Sequence, residues 1–163
     1  MNKMLKNLRN SNNICKFASK SSIIMNRQEL SQKFANYRKE NGPMMKEICS
    51  KLSCLPQDVY RIEKGKFSYN LQKCLDYMEV VGLQMTIDTT SESYIITEYK
   101  TLIDVLIKLR KERNYSQRSL AAAAECTHVT IAYYESQEKM ISIDMLLKVI
   151  NALGAQIDVS PKF

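Results

Sequence analysis

Apolar residues recur at helical spacing in two stretches of the chain, at Leu30, Phe34 and Tyr37 and again at Leu102, Val105, Leu106 and Leu109. They predict helices near 28–40 and 100–113. Behind the second of these, Ser116 offers an N-cap to the alanine-rich run 118–124, a strong helix former. A turn at Glu125 and Cys126 leads to Thr127, a second N-cap, and to a short helix near 128–136. Ser142 caps a last helix whose Met145, Leu146, Val149, Ile150 and Leu153 form an apolar face, and Gly154 ends it. The period then changes. Leu83 to Asp88 and Ala155 to Ser160 alternate at period two, and Ser22 to Ile24 and Tyr94 to Ile96 precede the first helices. These are four strand candidates. Two short strands do not make a stable sheet, so pooling all four into one shared sheet is the expectation.

The elements come in two copies. Residues 21–88 align with 93–160 without a gap at an offset of 72, the difference between Arg110 and Arg38. At that offset Lys39 and Glu40 fall on Lys111 and Glu112, Cys54 on Cys126, Glu63 on Glu135, Leu75 on Leu147, Gly82 on Gly154 and Gln84 on Gln156. Apolar positions agree more widely, as in Phe34 with Leu106, Ile48 with Leu120 and Val59 with Ile131, which is how duplicated folds look. The period exceeds that of solenoid repeats. The expected organisation is a basic disordered tail over 1–20, one repeat over 21–88, a polar turn at 89–92 and a second repeat over 93–163: a pseudo-dimer within one chain. In each repeat two short helices with a tight turn between them read as a helix-turn-helix.

The run from Arg110 through Ser116, Gln117, Leu120, Ala121, Cys126, Thr127, Ile131 and Glu135 to Leu153 and Gly154 resembles the Cro/C1-type (XRE-like) helix-turn-helix family. The pattern returns in weaker form over 29–82. The resemblance implies a mainly α fold of two tandem lambda-repressor-like domains. It also implies a structural clamp between an arginine late in the first helix and a glutamate ending the third, which Arg110 with Glu135 and Arg38 with Glu63 match. Some dimeric antitoxin-type regulators of the family join through a strand after the last helix, and this chain looks like such a dimer fused. By the same resemblance Ser116 and Gln117 would form the helix start that meets DNA phosphate, where Gln117 can reach phosphate or a base edge, and Arg118 would flank that face. His128, Val129, Thr130 and Tyr133 would face bases in the major groove, and Ile131 and Tyr134 would face inward. His128 is equally well a solvated first-turn residue, and Lys139 is a phosphate candidate just past the helix.

The first repeat departs from that pattern. Met44 and Met45 replace the Ser-Gln pair, Leu55 takes the N-cap place, and Pro56 stands at the first helical position, where proline is tolerated. Its reading face would be Gln57, Asp58, Tyr60 and Arg61, with Lys64 and Lys66 behind. Gln57 and Arg61 suit adenine and guanine, whereas Asp58 repels phosphate unless it meets a cytosine amino group.

Charge adds less than it promises. The net charge is +7, but Lys3, Lys6, Arg9, Lys16, Lys20 and Arg27 stand in residues 1–28 without an acid, leaving 18 bases against 17 acids elsewhere. The tail is thus either an arm that follows DNA phosphates or enters a minor groove, or a solvated segment. Five cysteines, no C-x-x-C pair and the lone His128 argue for small buried thiols in a reducing compartment, with no metal and no cofactor. Four glycines and no phosphate-binding loop give no catalytic constellation, and the expectation is a non-enzyme. The sequence-level reading is a cytoplasmic, sequence-specific regulator that binds double-stranded DNA, repressor-like, with no membrane partner, as a monomer or a further homodimer. The alternative is an antitoxin-like or adaptor module whose helix-turn-helix faces bind protein, such as a toxin.

Overall fold

The computed structural model describes residues 25–162. Helix α1 (Arg27–Asn41) opens on a reciprocal cap: the Asn26 side chain accepts the Glu29 N–H at 3.0 Å and the Glu29 carboxylate accepts the Asn26 N–H at 3.1 Å. There follow α2 (Met45–Leu52), α3 (Pro56–Lys64), α4 (Leu71–Val81), β1 (Leu83–Asp88), β2 (Ser93–Ile96), α5 (Tyr99–Glu112), α6 (Gln117–Ala123), α7 (His128–Glu135), α8 (Ile143–Ala152) and β3 (Gln156–Pro161). Helices α1 to α4 and strand β1 reappear as α5 to α8 and β3 at the offset of 72, within one residue at every start.

The two halves cap their second and third helices by different chemistry. In the second, Ser116, Thr127 and Ser142 accept the N–H groups of Ser119, Thr130 and Met145 at 3.0, 3.3 and 3.3 Å. Met44 and Leu55 have no such oxygen. There the acid three residues on reaches back instead, Glu47 to the Met44 N–H at 2.8 Å and Asp58 to the Leu55 N–H at 3.1 Å. Asp58 is therefore a helix-start residue as well as a charge on the α3 face. The turn after the second helix is common to both halves. Ser53 and Glu125 are left-handed, at φ 48° and 52°, and the next N–H returns to the helix, Cys54 to the Cys49 carbonyl at 3.1 Å and Cys126 to the Ala121 carbonyl at 2.9 Å.

One antiparallel sheet joins the halves, in the order β2-β1-β3. Strand β1 is central, and its Met85 and Ile87 are fully buried. The β1–β3 register sets Thr86 opposite Asp158, which are equivalent positions (158 − 86 = 72), so a pseudo-twofold axis passes through that pair. A second mark of the axis lies at the other end of α4 and α8. Their N-caps, Asn70 and Ser142, are again equivalent and bridge each other, with the Ile143 N–H donating to the Tyr69 carbonyl at 3.3 Å. Helix α1 packs on α8 as α5 packs on α4, and one hydrophobic cluster runs from Leu30 through Met85 and Leu106 to Ile157. Ion pairs from Arg27 to Asp144 and from Lys33 to Asp158, the latter at 2.6 Å, cross between the halves.

The expected four-strand sheet is thus observed with three strands among the described residues. Ser22 to Ile24, like Cys15 and the basic tail, lie outside them. The expected buried thiols need correction: Cys74 is buried, but Cys49 within α2, and Cys54 and Cys126 in the surface turns after α2 and α6, are half-buried. No described helix is long and apolar enough to cross a membrane.

Residues 89–92 form the hairpin turn between β1 and β2. The Thr89 N–H donates to the Glu92 carbonyl at 2.8 Å, and the Thr89 hydroxyl accepts from the N–H groups of Ser91 and Glu92 at 3.3 and 2.9 Å. A glutamate-specific protease should therefore cut slowly at Glu92, and the nicked halves should elute together in gel filtration. Fast cutting that frees two folded halves would contradict the shared sheet.

Candidate nucleic-acid interface

Helix α7 owes its orientation to Ile131 and Tyr134, both buried in the core, which leave His128, Val129 and Tyr133 on the surface. Thr130 is half-buried, and its hydroxyl is 2.9 Å from that of its cap, Thr127. Burial pushes the Tyr134 phenol up, so it stays protonated. Past the helix, the Lys139 N–H returns to the Tyr133 carbonyl at 3.2 Å, and its ammonium lies 4.7 Å from the Tyr133 ring centre. Tyr99, at the start of α5, fixes this loop. Its hydroxyl donates to the Lys139 carbonyl at 3.3 Å and accepts the Ile141 N–H at 3.0 Å.

The end of α7 is held by Glu135. Arg110 reaches it with Nε at 2.6 Å and Nη2 at 2.9 Å and spends Nη1 on the Tyr115 carbonyl at 2.9 Å. A third donor is the Gln117 amide, at 2.8 Å. The side chain expected to lie against phosphate is thus committed, through its nitrogen, to the clamp. Ser116 is a cap, and Arg118, two positions on, is exposed.

With this geometry the comparison with known proteins becomes specific: a family model described as helix-turn-helix matches residues 106–159. This segment is similar to helix-turn-helix domains. The match spans the end of α5, the α6–α7 pair, α8 and most of β3. No curated protein and no solved structure matches the chain.

The first half carries the same clamp with one donor exchanged. Arg38 grips Glu63 with Nε and with Nη2, the latter at 2.9 Å, and the third donor is the Tyr77 hydroxyl at 2.7 Å. Position 77 corresponds to Val149 and position 117 to Met45, neither of which has a donor. Each half therefore supplies the missing bond from a different helix. Burial first, then the bond to Glu63, pushes the Tyr77 phenol up, so it donates rather than ionises. Hydrogen bonds to charged groups contribute about 1.5–3 kcal/mol. Tyr77→Phe should lose an amount in that range by urea unfolding, and Gln117→Ala a similar or smaller one; unchanged midpoints in both would remove the third donor from the account.

Helix α3 buries Val59, Ile62 and Glu63 and exposes Gln57, Tyr60, Arg61 and Lys64. The Lys64 ammonium is 5.7 Å from the Tyr60 ring centre, and Asp58 is 4.0 Å from Lys73. Arg27 ties down the loop behind α3, with Nε on the Gly65 carbonyl at 2.8 Å and Nη2 on the Lys66 carbonyl at 3.2 Å. It stands at the position of Tyr99 (99 − 27 = 72) and performs the same task on the other half. Sequence reasoning missed this pair, because the offset aligns two residues of unlike chemistry.

Sequence reasoning also missed the surface between α3 and α7. Two cavities meet there, one of about 430 Å³ against Val129, Thr130, Tyr133 and Lys139 and one of about 370 Å³ against Asp58, Arg61 and Lys73. They share Met140, Ile141 and Ser142, and so form one groove across the pseudo-twofold axis at the Asn70–Ser142 bridge.

Proposed function

We propose that the chain is a sequence-specific, repressor-like regulator of transcription that lays α7 and α3 in successive major grooves of double-stranded DNA. The observation that carries this reading is the pairing of the helix-turn-helix match around α7 with a pseudo-twofold axis that brings α3 to the other bank of the same groove. On α7, His128, Val129, Thr130 and Tyr133 would meet bases, with Arg118 and Lys139 on phosphate. On α3, Gln57 and Arg61 would read bases and Lys64 would meet phosphate. The two faces have no residue in common, so the operator is asymmetric, with half-sites about one helical turn apart. Binding is the function proposed, with no catalytic step.

The test is selection of a random duplex pool by the full chain at physiological salt, followed by sequencing of the retained DNA. Two unlike enriched half-sites are expected. Arg61→Ala should then weaken binding by about 10–100-fold and relax one half-site, since a bidentate base contact discriminates by about 1–3 kcal/mol. Val129→Ala with Thr130→Ala should relax the other. Gln117 is unsuited to this test because it supports Glu135. A pool that shows no enrichment would refute the regulator reading.

A second reading has its own support. Leu55, Tyr60 and Phe67 leave 59%, 47% and 58% of their surface exposed along the first half, an apolar face suited to a protein. On that reading the first half is an antitoxin-like or adaptor surface. Phosphate binding weakens steeply with salt and an apolar interface does not, so the salt dependence of complex formation separates the two.

A further inference from the structure

We infer that the groove over the pseudo-twofold axis receives the minor groove at the centre of the operator, and that Met140 enters it as an apolar wedge at a single base step. This rests on the reading of α3 and α7 as major-groove helices. When two such helices occupy successive major grooves on one side of a duplex, the minor groove between them faces the protein at the axis. Here that place is the groove shared by the two cavities, and Met140 lines both.

The chemistry of the groove suits a minor groove. Its banks carry Arg61 and Lys73 on the α3 side and Lys139 on the α7 side, cations placed for the two phosphate rows that border a minor groove. The one acid in the lining, Asp58, faces Lys73 and accepts the Leu55 N–H. Between the banks stands Met140 with 43% of its surface exposed. Apolar side chains set between base steps unstack them and kink the duplex, and methionine is long and unbranched enough to do so.

The mount of this side chain is rigid. The Tyr99 hydroxyl bonds the backbone on both sides of Met140, at the Lys139 carbonyl and the Ile141 N–H, and Ile141 is itself buried. A wedge must hold its position while bases part, and a loop fixed at both neighbours meets that need. The equivalent residue in the first half is Ser68, too small to enter a stack. The structure therefore gives one wedge, set to the side of the second half, and one unstacked step displaced from the centre. Pyrimidine–purine steps unstack most easily, so a TA or CA step is expected there.

The experiment uses the full chain and the duplex enriched by selection, with 2-aminopurine placed in turn at each central position. Fluorescence should rise several-fold at one off-centre step on binding. Met140→Ala should abolish the rise and reduce the bend seen by gel phasing, while keeping affinity within about tenfold, because the change removes a wedge and not a phosphate or base-edge contact. Full-strength specific binding with no rise at any central position, or a rise that persists in Met140→Ala, would overturn the wedge and leave the regulator reading standing. A chain that selects no sequence would overturn both.

Discussion

Glu63→Ala is expected to lower the free energy of unfolding by about 3–5 kcal/mol, the usual cost of breaking a buried ion pair from one side. The Glu63 carboxylate is 5% exposed and takes Arg38 Nε, Arg38 Nη2 at 2.9 Å and the Tyr77 hydroxyl at 2.7 Å. Its removal leaves the guanidinium of an arginine side chain only 13% exposed, and a buried hydroxyl, without this acceptor. Replacing Arg38 and Glu63 together by leucine should cost much less, because neither charge is then stranded. Urea unfolding followed by circular dichroism measures both. A loss below about 1 kcal/mol in Glu63→Ala would show that water enters and replaces the carboxylate. Glu135→Ala should behave alike, since Arg110 and Gln117 lose the same kind of acceptor.

Ile87→Asp should unfold the whole protein rather than half of it. Ile87 is fully buried on the central strand, opposite Tyr94 on one side and Ile157 on the other. An unpaired carboxylate there costs several kcal/mol against a typical total of about 5–15 kcal/mol. Because β1 belongs by sequence to the first half and pairs with both strands of the second, the damage reaches both. Hydrogen exchange on the variant should show protection lost together in α4 and α8. Retained protection across α5 to α8 would mean that the second half stands alone.

The helices were legible because their signals are local. Ser116, Thr127 and Ser142 mark three helix starts, and the observed α6, α7 and α8 begin at the next residue in each case. The strands were legible from alternation, and the sharing of one sheet from the shortness of each strand. The Arg–Glu clamps followed from a resemblance that the observed ion pairs match in geometry. The third donors did not follow, because Tyr77 and Gln117 are distant in sequence from what they complete and come from different helices. The place of Gln117 at a helix start, suited to a phosphate or a base edge, is visible in the sequence, whereas its 2.8 Å bond to Glu135 is not. Nor could the central groove be foreseen. Met140 lies in a loop without pattern, and its place on the axis depends on the Asn70–Ser142 bridge, a contact across 72 residues.

The hairpin at 89–92 has a consequence for dose and for divergence. A two-subunit binder must first assemble, so its occupancy falls away steeply once the protein is dilute. On the regulator reading proposed above, a chain that binds as a monomer carries its second half beside the first, and occupancy is expected to stay first order in chain concentration. The same hairpin frees the halves from each other in mutation. In a homodimer every change is made twice, once on each side of the axis; in one chain each side changes alone. Tyr77 completes one clamp and Gln117 the other, so the two sides of the axis already differ in how they hold their glutamate.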